Sequence, residues 1–245
     1  MRRYPAPREL SYTFGPGPVS PAIKLLIAAN VAVFAASLLW PVVRVYLGLI
    51  PAAVIEQLWI WQPVTYMFVH GGLSHIVFNM LALWMFGTEL ERLWGTSYFL
   101  KYYFATGLGA AAATILLSLT PSGFGYHADT LGASGAIYGL LLAFGLLFPN
   151  RPIYLYLLFP IPAKYFVMIL GGISFFLSIT DSGGGIAHIA HLGGLVAGYL
   201  ILRGRRIRPI DEAKYWYLRW KANRLKRKFG VYTGGRTEDW KRRIH

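Results

Sequence analysis

Apolar residues in this chain come in long runs, not at single recurring positions. Six runs stand out: about Ala22–Tyr46, Leu73–Leu93, Tyr98–Leu119, Leu131–Phe148, Tyr165–Ile179 and Ile186–Leu202. A membrane-crossing helix needs roughly 20 mostly apolar residues, and several of the runs reach that length. The pattern predicts an all-α, polytopic membrane protein built as a bundle of six transmembrane helices. A transmembrane barrel would instead show short alternating segments, which are absent. Turn-forming residues separate the runs. The loop "TPSGFGYHADT" follows span three, and "TDSGGG" makes a flexible connection after span five. Pro149, Pro152, Pro160 and Pro162 mark a surface loop between spans four and five. The loop after span one carries Pro51, Glu56, Trp59 and Trp61, and its aromatics suit a membrane interface.

Composition agrees with that reading. Of the 245 residues, 56% are hydrophobic and 14% charged, against about 25% charged in an ordinary soluble domain. There is no cysteine, which excludes disulfides, thiolate metal sites and thiol catalysis; no metal or cofactor is expected. The first twenty residues are polar, basic and proline-rich, unlike a cleavable signal peptide. The division expected is a basic N-terminal segment, 1–21, a membrane domain, 22–202, and a basic tail, 203–245.

The net charge of +14 is unevenly placed. If the N-terminus is cytoplasmic, Arg2, Arg3, Arg8, Lys24, Arg92, Lys101, Arg151, Lys164 and the tail all lie inside, and Arg44 alone lies outside. This bias predicts that both termini are cytoplasmic. The tail mixes basic residues with Trp216, Trp220 and Phe229. Such a segment can lie on anionic lipid or simply fix topology; no nucleic-acid partner is expected beside a membrane.

Polar side chains inside a bilayer are costly and mark function by default. His75 and Asn79 lie in span two, Ser134 in span four and His191 in span six. All three spans run inward from the outer face, and each of these residues falls near the start of its span. They therefore share a shallow depth. His75 with Asn79, and Ser134 with Tyr138, are one helical turn apart and share a face. Glycines at 132, 135, 139, 194 and 198 allow close helix approach. Together the set can perform acyl transfer. A serine hydroxyl needs a base, and a neutral imidazole supplies one near neutral pH. The Ser134 backbone N–H lies in the first turn, where amides lack helical partners. The Asn79 amide and a His75 ring N–H add donors for an oxyanion. Asp129 and Asp181 fall in outer loops, so a Ser–His dyad is simpler than a triad. Each residue also has a plainer reading. Ser134 can bond back to its own helix, His75 with Asn79 can clamp two helices, and Tyr138 can merely pack. His188 competes with His191. The arrangement is not the soluble-hydrolase pattern, which sets G-x-S-x-G on a strand-to-helix turn.

Three motifs, "HIVFN" (His75 to Asn79), "GASGAIYG" (Gly132 to Gly139) and "AHLGGLVAG" (Ala190 to Gly198), together resemble the rhomboid family of intramembrane serine proteases. The resemblance covers roughly Glu56 to Leu202. It implies Ser134 as nucleophile, His191 as general base and His75 and Asn79 as oxyanion side chains, with Tyr138 packed on the imidazole. His191 is preferred to His188 because only His191 puts Gly194 and Gly198 in the family register. It also implies a multi-pass protein, expected in a prokaryotic plasma membrane, with its site near the outer face. The implied substrates are other transmembrane proteins, which approach past span five, where Phe175 and Phe176 are candidates for lining the route. "ELERLWG" (Glu89 to Gly95) resembles a structural turn of the family. Where the family often has Trp-Arg, this chain has Trp61-Gln62, so an arginine brace of that loop is missing. Two other readings are a non-catalytic scaffold for membrane clients and a transporter with a His75, His188 and His191 proton relay. An intact serine, histidine and oxyanion set argues against the first, and the lack of intramembrane carboxylates argues against the second.

Overall fold

The computed structural model describes residues 17–121, 125–155, 159–180 and 185–206. Asp181 and the tail residues Trp216, Trp220 and Phe229 lie outside the described residues. Helix α1 spans Pro21–Leu39, with proline at the position where a missing N–H costs nothing. It stops at Trp40, whose backbone is extended (φ −130°), as a residue preceding proline prefers. The first run thus divides at Trp40–Pro41, and α2, Val42–Leu47, is separate. Two short helices follow, α3 (Pro51–Glu56) and α4 (Gln62–Thr65), then a tight turn at Tyr66–Phe68.

Helix α5, Leu73–Ala82, passes through a wider π turn at Leu83–Gly87 into α6, Thr88–Trp94. Then come α7 (Thr96–Ser118), α8 (Ser134–Leu147), strands β1 (Pro152–Leu155) and β2 (Phe159–Pro162), α9 (Ala163–Thr180) and α10 (Gly185–Arg206). The proline-rich segment expected to be a loop therefore forms an antiparallel ribbon, with Pro152 opposite Pro162 and Ile153 opposite Ile161. A two-stranded ribbon consists only of edge strands, where proline's missing donor is tolerated.

Among the described residues, four helices are long and apolar enough to cross a membrane: Pro21–Leu39, Leu73–Trp94, Thr96–Ser118 and Ala163–Thr180. The protein is a multi-pass, mostly helical membrane protein. Helix α8 is shorter, at 14 residues. It is also buried around most of its circumference, from Gly135, Ala136 and Ile137 to Ala143, Phe144 and Gly145, as an all-round apolar helix should be. At 1.5 Å per residue it is about 21 Å long, against a hydrocarbon core of about 30 Å.

At the opposite end of the bundle, Glu91 ties helices together. Its carboxylate accepts hydrogen bonds from the Ser20 hydroxyl, from the Ala22 backbone N–H at 3.2 Å and from the Thr96 hydroxyl at 2.7 Å. A carboxylate at the start of α1 also meets the positive end of that helix dipole. Arg151, just before β1, pairs with Glu89 at 2.7 Å. The "ELERLWG" segment thus fastens α1, α6 and α7, in keeping with the structural role expected for it.

Candidate active site

Ser134 is the first residue of α8, and the chain leading into it is held on several sides. Leu49 and Thr130 exchange backbone hydrogen bonds of 3.0 and 2.8 Å. The Gly132 N–H donates to the Tyr66 carbonyl at 3.0 Å, while the Tyr66 hydroxyl donates to the Gly107 carbonyl at 2.7 Å. Asp129 is paired with Arg44 at 3.0 Å. Gly132 has φ +111°, a conformation L side chains rarely adopt, and a Cβ there would lie 2.7 Å from Nε2 of His75. Glycine is needed twice over, for the turn and for the imidazole beside it.

Oγ of Ser134 lies 2.8 Å from Nε2 of His191. The His191 ring is stacked on Tyr138, with centroids 4.2 Å apart and planes inclined by 6°. Helix α10 comes this close because of Gly194, whose hypothetical Cβ would sit 1.9 Å from the Gly135 carbonyl oxygen. Any side chain there would force the imidazole away from the serine. Nδ1 of His191 meets no partner among the described residues. Asp129 is occupied by Arg44, so the described residues supply no carboxylate to this imidazole. His188 stands edge-on to His191, 5.8 Å between centroids. The serine contact belongs to His191.

These distances make a hydroxyl–imidazole pair at the start of a buried apolar helix, flanked by glycine-lined helix contacts. A family model described as the Rhomboid domain matches residues 57–206, more than half of the chain. The chain belongs to the rhomboid family. Among its relatives, Rhomboid protease GluP of Bacillus subtilis is 34% identical over 142 residues, covering 57% of this chain and 25% of that protein. Rhomboid protein 1, mitochondrial, of Saccharomyces cerevisiae is 31% identical over 206 residues, covering 78% of this chain and 57% of that protein. RHOMBOID-like protein 12, mitochondrial, of Arabidopsis thaliana is 34% identical over 142 residues, covering 54% of this chain and 42% of that protein. The matched parts thus make up between a quarter and somewhat over half of these relatives.

Of the other residues singled out in this rhomboid chain, His75 lies beside Gly132, two residues before Ser134. Nδ1 of His75 accepts a long hydrogen bond, 3.4 Å, from the Gly71 N–H. That leaves Nε2, which faces Gly132, as the ring's N–H donor. Asn79 is buried, and its amide donates to the His75 carbonyl at 2.8 Å, back along its own helix. Phe175 and Phe176 are exposed on the outside of α9. Gln62 is wholly buried. Its Oε1 accepts from the Ile50 N–H at 3.0 Å and its Nε2 donates to the Val45 carbonyl at 3.2 Å. Trp61 donates to the Tyr46 carbonyl at 2.8 Å and stacks with Tyr46 and Trp59. The loop brace that an arginine would provide is built here from a neutral amide.

Two further residues lie near the site: His70, whose place at the edge of span two suggests a structural histidine, and Ser174, which the sequence does not single out. His70 is buried edge-on to His75, 5.0 Å between centroids. Burial, and secondarily the His75 ring, hold its pKa down to about 4, so it is neutral at pH 7. Ser174, on α9, donates to the Tyr138 hydroxyl at 3.0 Å. A lone serine in an apolar run carries no signal of such a contact, because its default partner is its own helix.

Proposed function

We propose that this chain is an intramembrane serine endopeptidase working through a Ser134–His191 dyad and an acyl-enzyme. The observation that carries the reading is the 2.8 Å contact between Ser134 Oγ and His191 Nε2. In this mechanism Oγ attacks the scissile carbonyl carbon as its proton passes to Nε2. The carbonyl oxygen becomes an oxyanion, met by the Ser134 backbone N–H, the His75 Nε2–H and the Asn79 N–H not used within its helix. Collapse expels the amine, which takes the proton back from His191. Water then attacks the acyl-enzyme, again giving its proton to His191, and the carboxyl product leaves as Oγ regains a proton. Tyr138 supports the imidazole through both halves. Losing one oxyanion donor typically costs about 2.7–4 kcal/mol of barrier.

The substrates proposed are transmembrane proteins, cut within or next to their spans. In the same reading α8 and α10 complete a set of six spans in a 22–202 membrane domain. Both termini are cytoplasmic, and the active site lies near the outer face of a prokaryotic plasma membrane. The basic tail contacts anionic lipid. Purified protein in detergent, incubated with a single-span substrate, tests the chemistry. Ser134→Ala should lower cleavage by about 10⁴-fold or more and abolish labelling by a fluorophosphonate probe. Equal cleavage by the variant would overturn the assignment. His191→Ala should be inactive and His188→Ala active; the reverse would move the base to His188.

A further inference from the structure

Helix α9 is fastened unevenly. Its buried residues are Ala163, Val167 and Ser174. The first two lie in its N-terminal half, where Val167 packs into the space left by Gly145 of α8 and Phe166 stacks on Phe86. Farther along, Met168, Ile169, Ile173, Phe175, Phe176 and Ile179 are exposed, and a Cβ on Gly172 would meet nothing within 4 Å among the described residues. Ser174 is the exception, at 1% exposure. Three hydroxyls lie in this half of the helix. Ser178 bonds to the Phe175 carbonyl at 2.7 Å and Thr180 to the Phe176 carbonyl at 3.0 Å, both within α9. Ser174 instead crosses to α8 and donates to Tyr138, whose ring lies flat on His191.

We propose that Ser174 is a positioning residue for the imidazole: its hydrogen bond fixes the Tyr138 ring, and that ring fixes the plane of His191 opposite Ser134. The proposal rests on Ser134 and His191 being nucleophile and base. A stacked ring constrains tilt, but by itself it can slide, because ring-on-ring contact has little directional preference along the plane. A hydrogen bond from a neighbouring helix at the far end of the phenol removes that freedom. The chemical step is therefore sensitive to whether the C-terminal half of α9 is seated against α8.

Labelling of Ser134 by a small fluorophosphonate is the test, because that reagent reports the reactivity of the serine without any substrate helix having to pass α9. The full chain is used in detergent, as wild type, Ser174→Ala, Ser174→Thr, Tyr138→Phe and the Ser174→Ala/Tyr138→Phe double variant. Ser174→Ala and Tyr138→Phe should each slow labelling about fivefold to tenfold, the scale of one net hydrogen bond. Ser174→Thr, which keeps the hydroxyl, should stay within about twofold of wild type. The double variant should be no slower than the slower single one, since both remove the same contact. Wild-type labelling of Ser174→Ala, or losses that multiply in the double variant, would overturn the proposal. If Ser174→Ala does not fold, full-rate labelling of Tyr138→Phe overturns it, and slow labelling of Tyr138→Phe beside normal Ser174→Thr supports it. Wild type that labels no better than Ser134→Ala would instead sink the protease reading.

Discussion

Helix α8 has two very different neighbours. Toward α10 it is locked by backbone, and toward α7 by side chains set into the glycine-lined face. Gly194 faces the Gly135 carbonyl, Gly198 lies against Gly139, and Gly139 is pressed on Thr106. Toward α9 it is held at one end by Val167 in the space beside Gly145 and at the other by the Ser174–Tyr138 hydrogen bond. Backbone-to-backbone packing leaves no side-chain rotamers to adjust, so the separation of the α8 and α10 backbones that carry Ser134 and His191 is fixed by the fold. Side-chain contacts with open space around them can be broken and remade. The Ser134–His191 contact sits on the stiff interface, while the Tyr138 ring stacked on the imidazole reaches across through its hydroxyl to the compliant one.

The sharpest way to break this contrast is to add one methyl group to each side. Gly194→Ala would push a Cβ into the Gly135 carbonyl. It should cost about 3 kcal/mol or more of stability, read as a fall in thermal midpoint, and should lose Ser134 labelling. Gly172→Ala on α9 meets open space and should be neutral or stabilising by up to about 1 kcal/mol, the helix-propensity difference between the two residues. Similar midpoints for the two variants would remove the distinction between the interfaces. Gly132→Ala comes next. It faces both the φ of +111° and the His75 ring, at a cost of about 1–3 kcal/mol. Its labelling rate should fall further than its stability, because the change displaces His75, an oxyanion donor of the proposed mechanism.

Smaller again is the titration of His70. Its pKa is about 4 in the fold and about 6.5 in the unfolded chain. The native state therefore resists protonation. The full stability is present above pH 6.5 and is lost progressively as pH falls from there toward 4. His70→Gln should flatten that part of the stability profile relative to wild type, with thermal midpoints measured from pH 7 down to 4. An unchanged difference across that range would mean that His70 is not buried neutral. A Gly72→Ala change, in the same connection but with nothing within 4 Å of its Cβ among the described residues, serves as the control.

Much of this was legible in the sequence because a bilayer imposes simple rules. The run at Leu73–Leu93 became a helix at Leu73–Trp94 and that at Tyr98–Leu119 one at Thr96–Ser118, since apolar runs of that length have one way to satisfy their backbones. Ser134 and His191 could be paired before their distance was seen, because stepped glycines predict close approach. The break at Trp40–Pro41 was hidden by unbroken hydropathy, although Pro41 carried the signal. The β1–β2 ribbon was missed because dense prolines argue against strands unless the strands have free edges. Gln62 and Ser174 were illegible for a different reason. Each has a single polar side chain whose partner is a backbone carbonyl, amide or hydroxyl far away in sequence, and no spacing rule connects them.

The π turn at Leu83–Gly87 sets the rotational phase of the helix that contains it. Twelve residues separate Asn79 from Glu91, and in an uninterrupted α-helix that leaves them about 120° apart around the axis. A π turn accommodates one extra residue, which takes back about 100° of that angle. Asn79 and Glu91 are accordingly both buried, facing the bundle from opposite ends of one helix. Deleting a single residue between Leu83 and Gly87 would leave the hydropathy of the span almost unchanged. It would also remove the need for the π turn and leave the two residues eleven apart, still about 20° around the axis, so the phase would hold. Straightening the π turn without a deletion is what would swing Glu91 away from α1 and α7.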